Sequence, residues 1–376
     1  MYLSSLELFS FRNYSHLTCS FSPTLNVIYG DNGQGKTNLL EAVYFLATGR
    51  SHRTSRDQDL LKEGESAFGA RASVMRSTGE MLLELKYSTE SRKQLKINGL
   101  PEKKITKLLG NLAAVLFSPD DLQLLKGSPA GRRRFLDVEL SQISQTYLHH
   151  LSTYNKTLLQ RNSILKQNAV DGALLSVYDE QLLDAGAQII VRRAAAVQRL
   201  SAIATEYHAM MSNGVEHLHL AYESQPLGDD GVILDLADVR QRLQRLLTDR
   251  RKDEIRRQIS LVGPHRDDIN ITIDDRDARL FASQGQQRTA VLALKLAELR
   301  YMAEQLGETP ILLLDDVASE LDPHRRNFLL NTVGETAQTF ITCTDLEDLA
   351  ARSWSPEHRL FRVKSGYVEW DRKGLP

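Results

Sequence analysis

The sequence predicts an α/β fold, a P-loop nucleotide-binding lobe interrupted by an inserted α-helical arm lobe. Three observations carry this expectation. A short apolar run, Leu25 to Tyr29, leads into the glycine-rich turn Gly30-Asp31-Asn32-Gly33-Gln34-Gly35-Lys36-Thr37 and then into helical spacing. Between Pro129 and Pro226 proline is absent, and apolar residues recur at steps of three and four. Beyond roughly residue 257 strand patterns return, and Ile311-Leu312-Leu313-Leu314 runs directly into Asp315 and Asp316. A strand, a tight turn and a helix, joined much later by a buried strand that ends in carboxylates, describe a layered α/β lobe.

Each element follows from its spacing. Leu6, Leu8 and Ser10 alternate with Glu7, Phe9 and Phe11, as a strand with one buried face requires. From Asn38 the period changes, and Leu39, Leu40, Val43, Tyr44 and Ala47 share one helical face. In the proline-free stretch, Leu140, Ile143, Tyr147, Leu151, Tyr154 and Leu158 keep helical steps, as do Tyr178, Leu182, Ala185 and Ile189. Asp171 and Gly172 break the pattern, so two long helices should form an antiparallel arm. Heptads are not sustained far enough for an extended coiled coil. Ile269, Ile271 and Ile273 then alternate with polar residues, a helix is expected from Gln286 to about Gln305, and Phe340 to Cys343 reads as a further strand. The expected division is an α/β lobe of residues 1–130 and 258–376 with an arm lobe of 131–257.

Composition removes several classes. A chain of 376 residues with 41% hydrophobic and 25% charged residues is not a disordered protein. Two cysteines, Cys19 and Cys343, cannot build a disulfide framework and suit a reducing compartment. The opening residues carry neither the basic region nor the apolar core of a signal peptide, and no uncharged apolar run approaches the roughly 18 residues of a membrane span. A cytoplasmic protein is expected. With 47 Lys plus Arg against 48 Asp plus Glu, a uniformly basic coat is excluded, although local patches are not.

The glycine-rich turn matches G-x-x-x-x-G-K-[ST] in full and sits between a predicted strand and a predicted helix, the context the motif needs. Backbone N–H groups from Gly30, Asp31, Asn32, Gly33, Gln34 and Gly35 can wrap the phosphates of ATP. Lys36 should reach the β- and γ-phosphates, and the Thr37 hydroxyl should bind Mg²⁺. At the far strand, Asp315 is expected near the same Mg²⁺ and Asp316 facing the attacking water, so Lys36 and Asp316 are the candidate catalytic residues. Ser283-Gln284-Gly285-Gln286-Gln287-Arg288 opens a helix whose exposed N–H groups can bind a γ-phosphate, which makes Ser283 and Gly285 further nucleotide contacts; taken alone, the same segment reads as an ordinary N-cap.

Taken in order, these motifs resemble an ABC-type ATPase head of the SMC kind, with Ser319-Glu320-Leu321-Asp322 in the place of its D-loop. The segments Pro119-Asp120-Asp121-Leu122 to Pro129, Arg132-Arg133-Arg134-Phe135-Leu136-Asp137, and Leu313 to Asp322 with Arg325 and Leu329 resemble the signatures of the RecF family. Phe11-Arg12-Asn13-Tyr14 and Gly263-Pro264-His265-Arg266-Asp267-Asp268 fit as well, and the resemblance covers nearly the whole chain. It implies a DNA-binding recombination mediator that dimerises on ATP, hydrolyses it slowly with stimulation by DNA, and acts with RecO and RecR to promote RecA loading at gaps in repair, replication and the SOS response. In such heads the signature helix of one subunit closes over the nucleotide of the other. The chain departs from many ABC ATPases in having Asp316 in place of glutamate, Thr344-Asp345 in place of a switch histidine, and no clear Q-loop glutamine, for which the Pro119-Asp120 turn could substitute.

Local basic clusters offer places for DNA. Arg92 to Lys107 holds six basic residues and one acidic, Arg240 to Arg257 eight and three, and Arg132 to Arg134 adds a third group. Few aromatics lie among them, so contact with a duplex backbone, including gapped and single-strand junctions, is expected more than a stacking platform. The alternatives are the ATPase subunit of a transporter, which the missing switch histidine disfavours, and a P-loop kinase, which needs no signature helix.

Overall fold

The computed structural model describes residues 1–167, 169–228, 235–317, 321–333, 337–346, 355 and 357–371. In chain order, β1 (Tyr2–Phe11), β2 (Tyr14–Ser20) and β3 (Leu25–Tyr29) precede α1 (Lys36–Thr48). Then come β4 (Ala67–Arg76), β5 (Gly79–Ser88), β6 (Arg92–Ile97), β7 (Leu100–Glu102) and β8 (Ala114–Phe117). Helices α2 (Gln123–Lys126), α3 (Pro129–Ile143), α4 (Gln145–Leu165) and α5 (Gly172–Ser212) lead to β9 (Leu218–Glu223) and α6 (Leu236–Arg257). After β10 (Asp268–Ile273), β11 (Arg276–Asp277), α7 (Ala278–Phe281) and α8 (Gln284–Leu306) follow β12 (Ile311–Leu314), α9 (Pro323–Val333), β13 (Thr339–Cys343), β14 (Arg359–Lys364) and β15 (Tyr367–Trp370).

The chain forms two compact units, residues 1–121 with 298–376 and residues 122–297. Residues 122–130 and 258–297, which the sequence pattern assigned to the α/β lobe, therefore belong to the second unit. Pairing explains the shift. β10 is hydrogen-bonded to β9, with Ile269, Ile271 and Ile273 opposite Tyr222, Leu220 and Leu218, and Asp268 takes a bidentate contact from Arg132 of α3 at 2.7 and 2.8 Å.

The first unit holds two sheets. One has the order β15-β14-β3-β13-β12-β8, with parallel neighbours from β14 to β8 and β15 antiparallel at its edge. The other is the antiparallel run β2-β1-β4-β5-β6-β7. β12 is an unbroken apolar run because a parallel strand covered on both faces has no polar side. The core joins Leu3, Leu6, Leu8 and Phe11 of β1 to Leu39, Leu40, Val43, Phe45 and Leu46 of α1 and to Ile311, Leu313 and Phe340. Burying α1 on so many sides fixes where its first turn, and hence Lys36 and Thr37, can lie.

In the second unit, Asp171 caps α5 by accepting from the N–H groups of Ala173 and Leu174 at 2.9 and 3.1 Å, and Asn213 in the left-handed region ends it. Polar residues are buried between the helices of this unit. Arg161, fully buried, pairs with Asp179 at 2.7 Å, Glu254 at 2.6 Å and the Ser260 hydroxyl at 2.6 Å. Arg193 donates to Asp137 at 2.6 Å, the Tyr147 hydroxyl at 2.9 Å and the Pro264 carbonyl at 2.8 Å. The segment from Gly263 to Asp268 belongs to this network. His265 Nδ1 lies 2.6 Å from the Tyr154 hydroxyl, and Asp267 accepts from Tyr222 at 2.5 Å. Gly263 has φ +123, and a Cβ there would sit 2.3 Å from that Tyr154 oxygen, so only glycine fits. Among the described residues no helix is long and apolar enough to cross a membrane.

Candidate nucleotide-binding site

β3 ends at Tyr29, and the chain turns through Gly30 at φ +146, where a Cβ would lie 2.4 Å from the Val363 carbonyl oxygen of β14. Gly35, at φ +119, ends the loop with a Cβ position 2.5 Å from Asn13 Nδ2. Those two contacts explain the glycines at both ends of the loop. α1 begins at once, so its unpaired N–H groups and positive end face the loop. The Lys36 ammonium, largely buried, donates to the carbonyl oxygens of Gly30 at 2.5 Å and Asp31 at 3.0 Å. Asp31, Asn32 and Gly33 are exposed, whereas Gln34 is held. Its carbonyl accepts from Asn13 Nδ2 at 2.8 Å and Gly366 N at 3.1 Å, and its Oε1 accepts from Ser365 N at 2.7 Å.

β13 lies between β3 and β12, which sets the carboxyl ends of the loop strand and the aspartate strand one strand apart. The Thr37 hydroxyl donates to Asp315 Oδ1 at 2.9 Å, and the Thr342 hydroxyl of β13 donates to the same oxygen at 2.9 Å. Burial pushes the Asp315 carboxyl above its ordinary range; the two hydroxyls oppose this, Asp316 adds to it and Arg53 opposes it. Asp316 turns the chain sharply with φ +53, and its N–H donates to the Thr342 hydroxyl at 2.8 Å. The sequence thus joins Lys36, Thr37, Asp315 and Asp316 at one place.

Thr37 Oγ1 and Asp315 Oδ1 are hard oxygen donors, and their 2.9 Å separation matches the edge of an octahedron with bonds of about 2.1 Å. Among the described residues no group of three or more His, Cys, Asp or Glu could hold a metal. A hydroxyl and one carboxylate form the donor set of a Mg²⁺ whose other ligands are phosphate oxygens and water, so the residues present fit that ion.

Several residues support the loop from outside it, among them the Phe11-Arg12-Asn13-Tyr14 segment already noted in the sequence. Arg12 pairs with Glu41 of α1 through two hydrogen bonds of 2.8 Å, and Ser51 donates to the same carboxylate at 2.5 Å. Burial alone would raise the fully buried Glu41 carboxyl, but the bonds from Arg12 and Ser51 outweigh it and hold the group below its usual range. Asn13 Oδ1 accepts from Asn38 at 2.9 Å, and the Tyr14 hydroxyl donates to the Gly35 carbonyl at 2.8 Å. Phe11-Arg12-Asn13-Tyr14 is therefore the scaffold beneath the loop. Arg53, exposed, donates to Asn38 Oδ1 at 2.9 Å and brings a cation to the start of α1. Thr342 and Arg53 were missed because only the strand order and the chain's return after α1 bring them to Asp315 and Asn38.

Ser283 and Gly285 lie in the second unit, at the start of α8. Ser283 N donates to Gln286 Oε1 at 2.8 Å, and Gln286 N donates back to Ser283 Oγ at 3.2 Å, a reciprocal capping box. That exposed hydroxyl accepts a bond and keeps its own proton free to donate. Ser319 and Glu320 lie outside the described residues, while Asp322 pairs with Arg325 at the start of α9. Of the basic group Arg132 to Arg134, Arg132 is bound to Asp268 and Arg133 to the Asp267 carbonyl, which leaves Arg134 exposed.

Residues 2–365 match the family model described as RecF/RecN/SMC N terminal domain. The chain is 64% identical over 375 residues to the DNA replication and repair protein RecF of Symbiobacterium thermophilum, covering 100% of both chains. It is 41% identical over 370 residues to the protein of the same name from Bacillus subtilis, covering 97% of this chain and 99% of that one. A solved structure described as the recombination mediator protein RecF-ATP in the RecFOR pathway matches with a TM-score of 0.91 at 36% identity, over 98% of this chain and 97% of the other. An SMC head bound to the C-winged helix domain of ScpA matches with a TM-score of 0.58 at 16% identity, a likeness of fold alone. With its glycine-rich loop, its Asp315 strand and its full-length relatives in agreement, the chain belongs to the RecF family of DNA replication and repair proteins, with an ATPase fold of the SMC-head type.

Proposed function

We propose that the chain is an ATP-gated, DNA-binding recombination mediator in which two copies close on ATP and slow, DNA-stimulated hydrolysis reopens them. The observation that carries this reading is the convergence of Thr37, Asp315 and Thr342 beside the Lys36 loop. When ATP binds, Lys36 exchanges its two loop carbonyls for β- and γ-phosphate oxygens, and the N–H groups at the start of α1 hold the same charge. Thr37 and Asp315 hold Mg²⁺, which offsets charge on the phosphoryl oxygens. Asp316 orients the attacking water and takes its proton while the bond from the γ-phosphorus to ADP breaks. A carboxylate one methylene shorter than glutamate reaches that water less well, in keeping with slow turnover.

The exposed Ser283 hydroxyl at the positive end of α8 suits a γ-phosphate held by a second copy, with Gly285 beside it, which makes dimerisation depend on ATP. The RecFOR description of the ATP-bound relative supports RecO and RecR as partners, and RecA loading at gaps is the outcome that the family resemblance implies. The test is Asp316→Asn examined by sedimentation. It should bind ATP, hydrolyse it at least about 10²-fold more slowly and accumulate as a dimer with ATP but not with ADP. Loss of hydrolysis without a trapped dimer refutes the gating.

A further inference from the structure

Eight basic residues in α6 do not have one role. The buried seam of this helix is Val239, Leu243, Leu247 and Glu254. On its flanks, Arg240 is bound to Glu180 and Asp184 of α5 at 2.6 and 2.7 Å, and Arg251 to Asp179 at 2.5 Å. Those arginines dock the helix. Opposite the seam, at steps of three and four, stand Gln241, Arg245, Thr248, Lys252 and Arg256, every one of them exposed. Two acids, Asp238 in the first turn and Asp249, share that face, and between Asp249 and the end of the helix it carries only cations. Arg256 touches Asp253 at 2.7 Å on the neighbouring row, yet its side chain stays 71% exposed.

We infer that this outward face of α6 is a contact stripe for the phosphate backbone of duplex DNA. The inference rests on the DNA-binding reading above and assigns it a surface. From Arg245 to Arg256 the helix advances about 16 Å at 1.5 Å per residue, which spans about five base-pair steps. Cations interspersed with Gln241 and Thr248 are the side chains that meet phosphate oxygens without reading sequence. An acidic protein partner is the competing occupant, but the row itself is wholly polar and its one apolar neighbour, Ile255, stands alone, without the aromatic or apolar cluster that centres protein interfaces.

The experiment measures binding of the full chain, with ATP, to a duplex of about 40 base pairs by fluorescence anisotropy between about 50 and 200 mM salt. The triple change Arg245→Gln, Lys252→Gln, Arg256→Gln should weaken binding at least about tenfold and reduce the slope of log affinity against log salt by about 2.7, three phosphates' worth. Its ATP affinity and thermal midpoint should equal those of the parent. A second variant, Lys103→Gln, Lys104→Gln, Lys107→Gln, neutralises exposed lysines of the first unit. Unchanged affinity and slope in the α6 variant overturn the assignment, as does loss of binding to polyglutamate with duplex binding intact. A parent chain that binds no duplex refutes the DNA reading itself, which is a different result.

Discussion

Lys36 holds the loop from inside, bonded to two carbonyls of its own turn, and in the proposed mechanism that charge is handed to phosphate oxygens. Lys36→Arg keeps the charge but replaces a compact ammonium with a planar fork too large for that pocket. Hydrolysis by the purified variant should fall at least about 10²-fold while its thermal midpoint stays near the parent's; wild-type turnover would remove Lys36 from the mechanism. The residues of the loop, Asp315 and Asp316 were legible because each belongs to a local pattern. Thr342 was not, since a lone threonine in an apolar strand has no signature until β13 is seen between β3 and β12. Arg53 was hidden for a similar reason: fifteen residues separate it from Asn38, and only the returning chain closes that gap.

At the scale of elements, the helices and the Asp315 strand were readable from period, whereas β9 was not. Its Leu218 and Leu220 follow a long helical pattern without a proline before Pro226, and pairing with β10 decides the matter. The turn after α6 makes a prediction about pH. Burial raises the Asp267 carboxyl from 3.8 to about 6 and lowers the neighbouring His265 from 6.5 to about 4. A raised carboxyl favours the fold below pH 4 and loses that contribution as pH rises to about 6; a depressed histidine contributes fully above 6.5 and loses it as pH falls towards 4. The two oppose each other in the same window. Asp267→Asn removes one side, so relative to wild type it should gain stability on going from pH 4 to pH 7, by on the order of 3 kcal/mol. Urea unfolding at several pH values reads this difference. A difference that stays constant with pH would show that Asp267 is not a buried, reluctantly charged group.

At the scale of the whole molecule, the sequence pattern drew the helical insertion as residues 131–257, whereas the second compact unit runs over residues 122–297, because apolar alternation after residue 257 does not say which sheet a strand joins. The start of α8 carries the same ambiguity. Its capping box satisfies the local requirement for an N-cap, and its exposed hydroxyl is also what the proposed site shared between two copies requires. Sequence pattern alone cannot divide those roles, whereas a second chain can. The most direct measurement is ATP hydrolysis by Ser283→Arg mixed with Lys36→Arg, each inactive alone. If Ser283 serves the nucleotide of the other copy, a heterodimer has one site with both lesions and one with neither, and mixing should restore turnover to a substantial fraction of the wild-type rate. Monomeric Ser283→Arg should still bind ATP as the parent does. If mixing restores nothing and monomeric Ser283→Arg has lost ATP binding, Ser283 serves its own chain's nucleotide and the composite, ATP-gated site is contradicted.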